Sequence, residues 1–220
     1  MAYSFTNSTG GVSTGAFASR NFGLHVGDDP HAVLENRAAL SRKIGATQFM
    51  SQEHGNRVAV IEEVVDSSPV ADALVTGIPG VNLAVQVADC IPLLLSSTEA
   101  VAAVHVGRRG LVNEVTLRTL ELMRDMGAAS ISAIIGPSIC GKCYEVSEEI
   151  FSEVTALHPV AAARRSDGSF ALDLPGALAE LLSREGVNVS FEGDCTVEDS
   201  QLFSYRRDGV TGRQIGVISL

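Results

Sequence analysis

The segment from Asn82 to Gly110, NLAVQVADCIPLLLSSTEAVAAVHVGRRG, decides the fold. It contains two apolar runs, and each run ends in a side chain that can bind a metal ion: Cys90 closes the first run and His105 closes the second. Because side chains alternate between the two faces of a strand, we expect small residues such as Ala88 beside Cys90 and Ala103 beside His105. Such neighbours leave space around the sulfur and the imidazole, which a close-packed core would fill.

The composition is that of an ordinary globular protein with a sizeable core. The chain has 220 residues, of which 45% are hydrophobic and 19% charged, and this predicts one large domain or two small ones. The net charge of -10 argues against a nucleic-acid surface, which needs a clustered basic stripe. No apolar run approaches the roughly 20 residues that a membrane-spanning helix requires. The N-terminus lacks a secretory pattern, so we expect a cytoplasmic protein with reduced cysteines.

The pattern along the chain predicts mixed secondary structure. We expect an opening strand and a long loop within residues 11–27, a helix that starts near Pro30, and short strands over residues 47–52 and 57–62. A second helix is predicted from Gly110 to about Met126, and closing strands over residues 188–191 and 214–220. Strands and helices do not alternate strictly, which favours an α/β or α+β fold with mixed sheets. There is no internal repeat and no clean domain boundary.

Three distant side chains form a chemically reasonable zinc set. Taken singly, Cys90 resembles a buried structural thiol, His105 a core histidine and His54, in the turn Glu53-His54-Gly55-Asn56, a surface histidine. Each lies where an apolar strand ends or turns, however, and functional groups concentrate there. Two imidazoles and one thiolate leave a fourth position for water or substrate, as in catalytic zinc sites. We therefore expect His54, Cys90 and His105 to meet.

Two further motifs have less specific interpretations. Cys140 and Cys143 form a C-x-x-C pair without a second pair of partners, so we interpret them as structural thiols in a loop near the site. Arg108 and Arg109 stand at a Gly-rich turn between a strand and a helix, where they could bind an anion or remain solvated. The sequence contains no nucleotide-binding Gly-rich loop and no GxSxG nucleophile elbow.

Seven ordered motifs resemble one known family over nearly the whole chain, residues 1–220. The motifs are GLHVGDD, QEHG, ADALVTGIPG, VADCIPLLL, VHVGRRG, IGPSICGKCYEV and FSYRRDGVTGR, and the family is that of the YfiH-type laccase-domain proteins, described as bacterial purine nucleoside phosphorylases. The resemblance implies a single domain with α/β/β/α layers, similar to the catalytic domain of cytotoxic necrotizing factor toxins. It also implies a zinc ion held by His54, Cys90 and His105. The family usually has tryptophan at the position of Arg108 and valine at the position of Glu53.

The function that this resemblance implies is phosphorolysis of adenosine, inosine, guanosine and methylthioadenosine, with adenosine deamination as a second activity. The substrates are then a purine nucleoside and phosphate. Cys90 and His105 are the candidate catalytic residues, and Arg109 or Arg57 could hold the phosphate, judging by position alone. The sequence leaves the oligomeric state open.

Other functions remain open at this stage. A laccase-like copper oxidase of phenols needs on the order of ten histidines for its several copper ions, and the chain has five. A single copper ion in a site of two histidines and one cysteine is still possible, because copper binds such sites more tightly than zinc. Cys90 with His105 as base would instead give a metal-free hydrolase, a chemistry compatible with editing of peptidoglycan precursors. A non-catalytic binding module would show no turnover.

Overall fold

The structure, a computed structural model, describes residues 1–220 and contains twelve strands and six α-helices. The strands are β1 Ala2–Phe5, β2 Thr47–Gln48, β3 Val58–Val60, β4 Ala73–Thr76, β5 Asn82–Val87, β6 Ile91–Ser96, β7 Val101–Val106, β8 Ser132–Ile135, β9 Ala162–Arg164, β10 Phe170–Leu172, β11 Asn188–Phe191 and β12 Gln214–Ser219. The helices are α1 Pro30–Ile44, α2 Arg108–Val112, α3 Val115–Asp125, α4 Glu148–Leu157, α5 Leu174–Arg184 and α6 Tyr205–Asp208. Short 3₁₀ turns occupy Gly15–Phe17 and Pro159–Ala161.

Two mixed sheets form the centre of the molecule. One has four strands in the order β1-β12-β5-β2, and the other has six in the order β11-β8-β6-β7-β4-β3. Strands β9 and β10 form a separate hairpin. The central segment therefore contains three strands instead of two apolar runs, and the chain crosses from the four-stranded sheet to the six-stranded sheet between β5 and β6. Cys90 lies in this crossing, so our prediction that it closes a strand is wrong.

Alternation along the central strands builds three apolar layers. On β6, Leu93 and Leu95 face the helices α2 to α5, whereas Leu94 faces the second sheet. Strand β5 continues the pattern, since Leu83 lies between the sheets and Ala84 faces helix α1 on the outer side. Strands that are buried on both faces read as continuous apolar runs. The layers follow the order helix, sheet, sheet, helix, which confirms the predicted α/β/β/α architecture.

Two local predictions fail for identifiable reasons. The first strand is Ala2–Phe5 and not part of residues 11–27, because its partner is the C-terminal strand β12, which sequence patterns cannot show. The helix expected from Gly110 to Met126 is broken in two at Glu114, which adopts a left-handed φ of 64°. The break presents the carbonyl of Asn113 to the side chain of Asn56, 2.8 Å away. None of the helices has the combination of length and apolar character that a membrane crossing requires.

Candidate active site

The structure brings His54, Cys90 and His105 together, as the sequence predicts. Their ligand atoms all lie within 4.8 Å of one another, and Cys90 Sγ is 3.9 Å from His54 Nε2. The two imidazole rings meet edge to face, with centroids 4.7 Å apart. His105 is buried on strand β7, Cys90 is partly exposed at the crossing between the sheets, and His54 is exposed in its turn. The three side chains thus converge from separate elements.

A buried carboxylate, Asp72, organises two of the three side chains. Its Oδ1 lies 2.8 Å from Nδ1 of His105 and accepts the backbone N–H of His54 at 2.9 Å. Its Oδ2 accepts the N–H groups of Gly55 at 2.8 Å and Glu53 at 3.3 Å. Asp72 therefore fixes the turn that carries His54 and also orients the ring of His105. A carboxylate in this position is the usual support of a histidine that binds a metal through its other nitrogen.

Electrostatics favour an ionic thiolate–imidazolium pair when no cation is bound. Burial alone would raise the pKa of the Cys90 thiol, but the charge and hydrogen bonds of His105 and His54 outweigh it and lower the pKa from 9.0 to about 6. Burial likewise opposes the charged form of His105, but Cys90 and Asp72 raise its pKa from 6.5 to about 9. A nearby opposite charge stabilises each ionised form. The electrostatics of the site thus favour the thiolate form of Cys90.

Space beside the sulfur depends on Gly107. A Cβ atom at this position would lie 2.9 Å from Cys90 Sγ and 3.3 Å from Cδ2 of His54. Such contacts are closer than van der Waals packing allows, so any side chain here would fill the space between the three ligands. The absence of a side chain at Gly107 therefore keeps the group open. Of the two predicted small neighbours, Ala88 lines the cavity, whereas Ala103 is buried in the apolar layer between the sheets.

The three side chains line a cavity of about 420 Å³. This volume lies in the range of about 300–1,000 Å³ that is usual for small-molecule sites. Three arginines and two tyrosines form much of the wall: Arg108, Arg206, Arg213, Tyr144 and Tyr205. The guanidinium of Arg206 lies 5.2 Å from the ring centre of Tyr144 and donates to the carbonyl of Glu145 at 2.8 Å. The cavity is locally basic within an acidic protein.

Of the three arginines on the wall, only Arg108 is one for which the sequence suggested anion binding. Arg57 and Arg109 are exposed and are not among the residues that line the cavity. Arg108 does line it, and its Nη1 lies 3.3 Å from Oε2 of Glu153. Arg213 directs Nη1 to the carbonyls of Thr211 and Gly212, which leaves its Nε and Nη2 without a protein acceptor. Burial lowers the pKa of Arg213, with smaller opposing contributions from Cys90 and Asp89.

Sequence reasoning missed Asp89, which attaches the C-terminal part of the chain to the site. Its Oδ1 accepts the hydroxyls of Thr196 and Ser204, each at 2.7 Å, and its Oδ2 accepts the N–H of Arg206 at 2.7 Å. These bonds bring α6, with Tyr205 and Arg206, to the cavity. The signal that could have identified it is its position in the sequence, directly before the candidate ligand Cys90.

Fold and site together define a class of protein: a layered α/β/β/α domain with a group of two histidines and one cysteine that opens into a basic cavity. Residues 2–220 match the model of a family described as multi-copper polyphenol oxidoreductase laccase, and the chain belongs to this family, which includes the YfiH proteins. This confirms the resemblance seen in the sequence motifs.

Curated relatives and solved structures cover almost the whole chain. A Corynebacterium glutamicum protein named purine nucleoside phosphorylase is 45% identical, over 98% of this chain and 93% of its own length. The Shigella flexneri protein named purine nucleoside phosphorylase YfiH is 36% identical, over 96% of this chain and 90% of its own. The crystal structure of Neisseria meningitidis protein NMB0706 is 37% identical with a TM-score of 0.89, over 99% of this chain and 93% of its own.

Proposed function

We propose that this chain is a zinc-dependent purine nucleoside phosphorylase whose metal ligands are His54, Cys90 and His105. The observation that carries the proposal is the convergence of these three side chains at a cavity with an arginine-rich wall. The names of relatives that are 36–45% identical over nearly the full chain support it. The substrates are then a purine nucleoside and inorganic phosphate, and adenosine deamination is the second activity that we propose.

The donor set fits zinc. Two imidazole nitrogens and one thiolate match the ligands of catalytic zinc sites, which keep a fourth position open, and the missing side chain of Gly107 provides the space. Because Nδ1 of His105 donates to Asp72, its Nε2 is the nitrogen that would release its proton and bind the metal ion. A zinc ion bound there supplies a Lewis acid and a positive charge beside the substrate. We expect copper also to bind this group of donors.

The cavity wall provides the remaining functions. Phosphorolysis joins a phosphate oxygen to the ribose carbon and breaks the bond from that carbon to the purine. Arg108, Arg206 and Arg213 can neutralise the phosphate and hold it beside the sugar, because guanidinium groups bind phosphate oxygens with paired hydrogen bonds. Tyr144 and Tyr205 offer aromatic surface against which a purine can stack. A contribution of Arg57 or Arg109 to phosphate binding stays a prediction.

The test is release of free base from adenosine, inosine, guanosine and methylthioadenosine in the presence and absence of phosphate. We expect phosphate-dependent release by the wild type and a loss of about 10²-fold or more in Cys90→Ala and His54→Ala, the order observed when one group that stabilises a transition state is removed. His31→Ala is the matched control, since His31 is exposed on α1, outside the cavity. Unchanged activity in Cys90→Ala would reject the site. Formation of inosine from adenosine without phosphate tests the deaminase activity.

One observation favours a second candidate, a metal-free hydrolase. The lowered pKa of Cys90 and the raised pKa of His105 describe a nucleophile and its imidazolium partner. Such an enzyme would suit amide or ester substrates, including peptidoglycan precursors. The two candidates differ in one experiment: a chelator stops the phosphorylase and leaves the hydrolase active, whereas a thiol alkylator added to the chelated protein stops the hydrolase. A multicopper oxidase has little support, because the structure brings together only one metal-binding group that contains histidine.

A further inference from the structure

We propose that Cys140, Cys143 and Cys195, with Glu198, form a second, structural zinc site. The three thiols offer sulfur atoms that lie within 4.8 Å of one another, and none of them is in a disulfide. A tetrahedral zinc ion with Zn–S bonds of about 2.3 Å places its sulfur atoms roughly 3.8 Å apart. The observed cluster is therefore close to the size of a loaded site and needs only small side-chain rotations.

The pattern of ligands is that of two facing turns. Cys140 and Cys143 form a C-x-x-C turn in which the Cys143 N–H donates to the Cys140 carbonyl at 3.0 Å. The facing turn has the same spacing in the form C-x-x-E, since Glu198 N–H donates to the carbonyl of Cys195 at 3.1 Å. Structural zinc sites are usually built from two turns, each of which carries a pair of ligands with two residues between them. This explains why the C-x-x-C motif has no sequence partner: its partner turn lies about 50 residues later and carries one carboxylate.

Contacts between the turns hold the three thiols together and place Glu198 beside one of them, Cys143. The N–H of Cys140 donates to Sγ of Cys195 at 3.4 Å, and Sγ of Cys143 lies 3.6 Å from Oε1 of Glu198. A backbone bridge pairs Ser138, two residues before Cys140, with Cys195 itself. The N–H group that points at a sulfur stabilises a thiolate, as hydrogen bonds around metal ligands do.

Charge also favours a cation at this place. Three thiolates and one carboxylate would repel one another without a positive ion between them. Arg207 reinforces the second turn, since its guanidinium donates to the carbonyls of Thr196 at 2.8 Å and Asp199 at 3.0 Å. Sulfur-rich donor sets select zinc over magnesium or calcium, which prefer oxygen. Binding would release the thiol protons to solvent.

The position of the site indicates its role. Ile139 and Tyr144, on either side of the C-x-x-C turn, line the active-site cavity, and Thr196, next to Cys195, donates to Asp89. A zinc ion here joins the two loops and so holds one wall of the cavity. The ion takes no part in the reaction, because the cluster itself is not among the residues that line the cavity.

The experiment counts zinc ions. Metal-free protein is titrated with Zn²⁺ against a chromophoric chelator, and native mass spectrometry reads the number bound. We expect two ions in the wild type, one in Cys143→Ser, one in Cys90→Ser and none in the double variant. Lys142→Ala, within the same turn, is the control and should keep two. With Co²⁺, the ion bound to Cys90→Ser should show stronger sulfur-to-metal absorption than the ion bound to Cys143→Ser, because three thiolates replace one.

The outcomes separate this site from the active-site metal. One ion in the wild type that persists in Cys90→Ser and disappears in Cys143→Ser supports the second site and rejects the first. A zinc count that Cys143→Ser leaves unchanged overturns the second site, as does a Cys140–Cys143 disulfide in the freshly isolated protein. Should Cys143→Ser fail to fold, alkylation of wild-type protein decides: Zn²⁺ must protect all three thiols from iodoacetamide, and reactivity equal to that of the metal-free protein overturns the proposal.

Discussion

Replacing Asp72 by asparagine tests how the active site is built. The side chain is 2% exposed and accepts four hydrogen bonds, from the ring of His105 and from the N–H groups of Glu53, His54 and Gly55. Asparagine has the same shape, but its NH₂ group must point at N–H donors on one side. If the amide oxygen keeps the hydrogen bonds from His105 and His54, the bonds from the N–H groups of Glu53 and Gly55 are lost. Those two N–H donors then face the NH₂ group, which is itself a donor.

The expected magnitude follows from these contacts. A hydrogen bond to a charged group contributes about 1.5–3 kcal/mol, so the loss of two such bonds should lower the free energy of unfolding by about 3–6 kcal/mol. Substitution of a carboxylate that supports a metal-binding histidine typically costs about 10–100-fold in metal affinity or activity. We therefore expect Zn²⁺ affinity at this site and kcat/KM to fall together by one to two orders of magnitude, as estimated from that range.

Urea denaturation, Zn²⁺ titration and phosphorolysis kinetics measure the three quantities. Asp66→Asn is the matched control, because Asp66 is exposed and makes no side-chain hydrogen bond in the structure. Burial raises the pKa of Asp72, but the bonds from His105 and the backbone N–H groups outweigh it and lower the pKa below 3.8. A depressed pKa contributes stability above pH 3.8 that is lost as pH falls through the folded-state value. The difference in the free energy of unfolding between wild type and Asp72→Asn should therefore become smaller below pH 3.8. A variant with full metal affinity and activity would refute the role of Asp72.

Three further predictions address the thiolate, the space beside it and the core. In metal-free protein, the rate of Cys90 alkylation should rise with pH around a midpoint near 6, because His105 stabilises the thiolate. Mass spectrometry of the modified peptide gives the rate. A midpoint near 9.0 would contradict the ion pair. Gly107→Ala should reduce zinc binding by His54, Cys90 and His105 with little loss of stability, since the new methyl group would lie 2.9 Å from the sulfur of Cys90. Calorimetry measures the zinc affinity and the stability, and an unchanged affinity would contradict the steric account. Leu94→Ala, at a position with 0% exposure between the sheets, should cost about 2–5 kcal/mol in the free energy of unfolding by urea. A cost below 1 kcal/mol would contradict the packing of the two sheets, being less than the roughly 2 kcal/mol expected at minimum.

The sequence predicts the fold class and the central group of side chains because both depend on local signals. Apolar runs mark strands buried on both faces, and His54, Cys90 and His105 are recognisable because their side chains can bind a metal ion. The break of the helix after Gly110 could not be predicted, since Glu114 adopts a left-handed φ of 64° that its residue type does not favour. The break is joined to the turn that carries His54 by the hydrogen bond from Asn56 to the carbonyl of Asn113.

The residues that sequence reasoning missed all act through contacts between distant segments. Asp72 is a single acid among apolar residues, and only its four hydrogen bonds give it meaning. Cys195 lies 55 residues from Cys140, so no spacing rule joins them. Arg213 reaches the cavity because it directly precedes β12, which pairs with β5, and Arg206 reaches it because Asp89 accepts its backbone N–H. Local sequence patterns identify secondary-structure elements and reactive side chains, whereas the tertiary structure determines which residues those side chains contact.

The position of the site follows from the crossing of the chain between its two sheets. Strands β5 and β6 belong to different sheets, and the three residues that connect them, 88–90, turn sharply, with Asp89 at a left-handed φ of 86°. Such a backbone conformation costs about 1–3 kcal/mol for a residue other than glycine, and the three hydrogen bonds that Asp89 accepts offset it. The same turn exposes the sulfur of Cys90 to the cavity and directs Asp89 to the segment that brings Arg206. One corner of the chain therefore places both the proposed metal ligand and the proposed phosphate-binding wall, which is why these two parts of the site lie side by side.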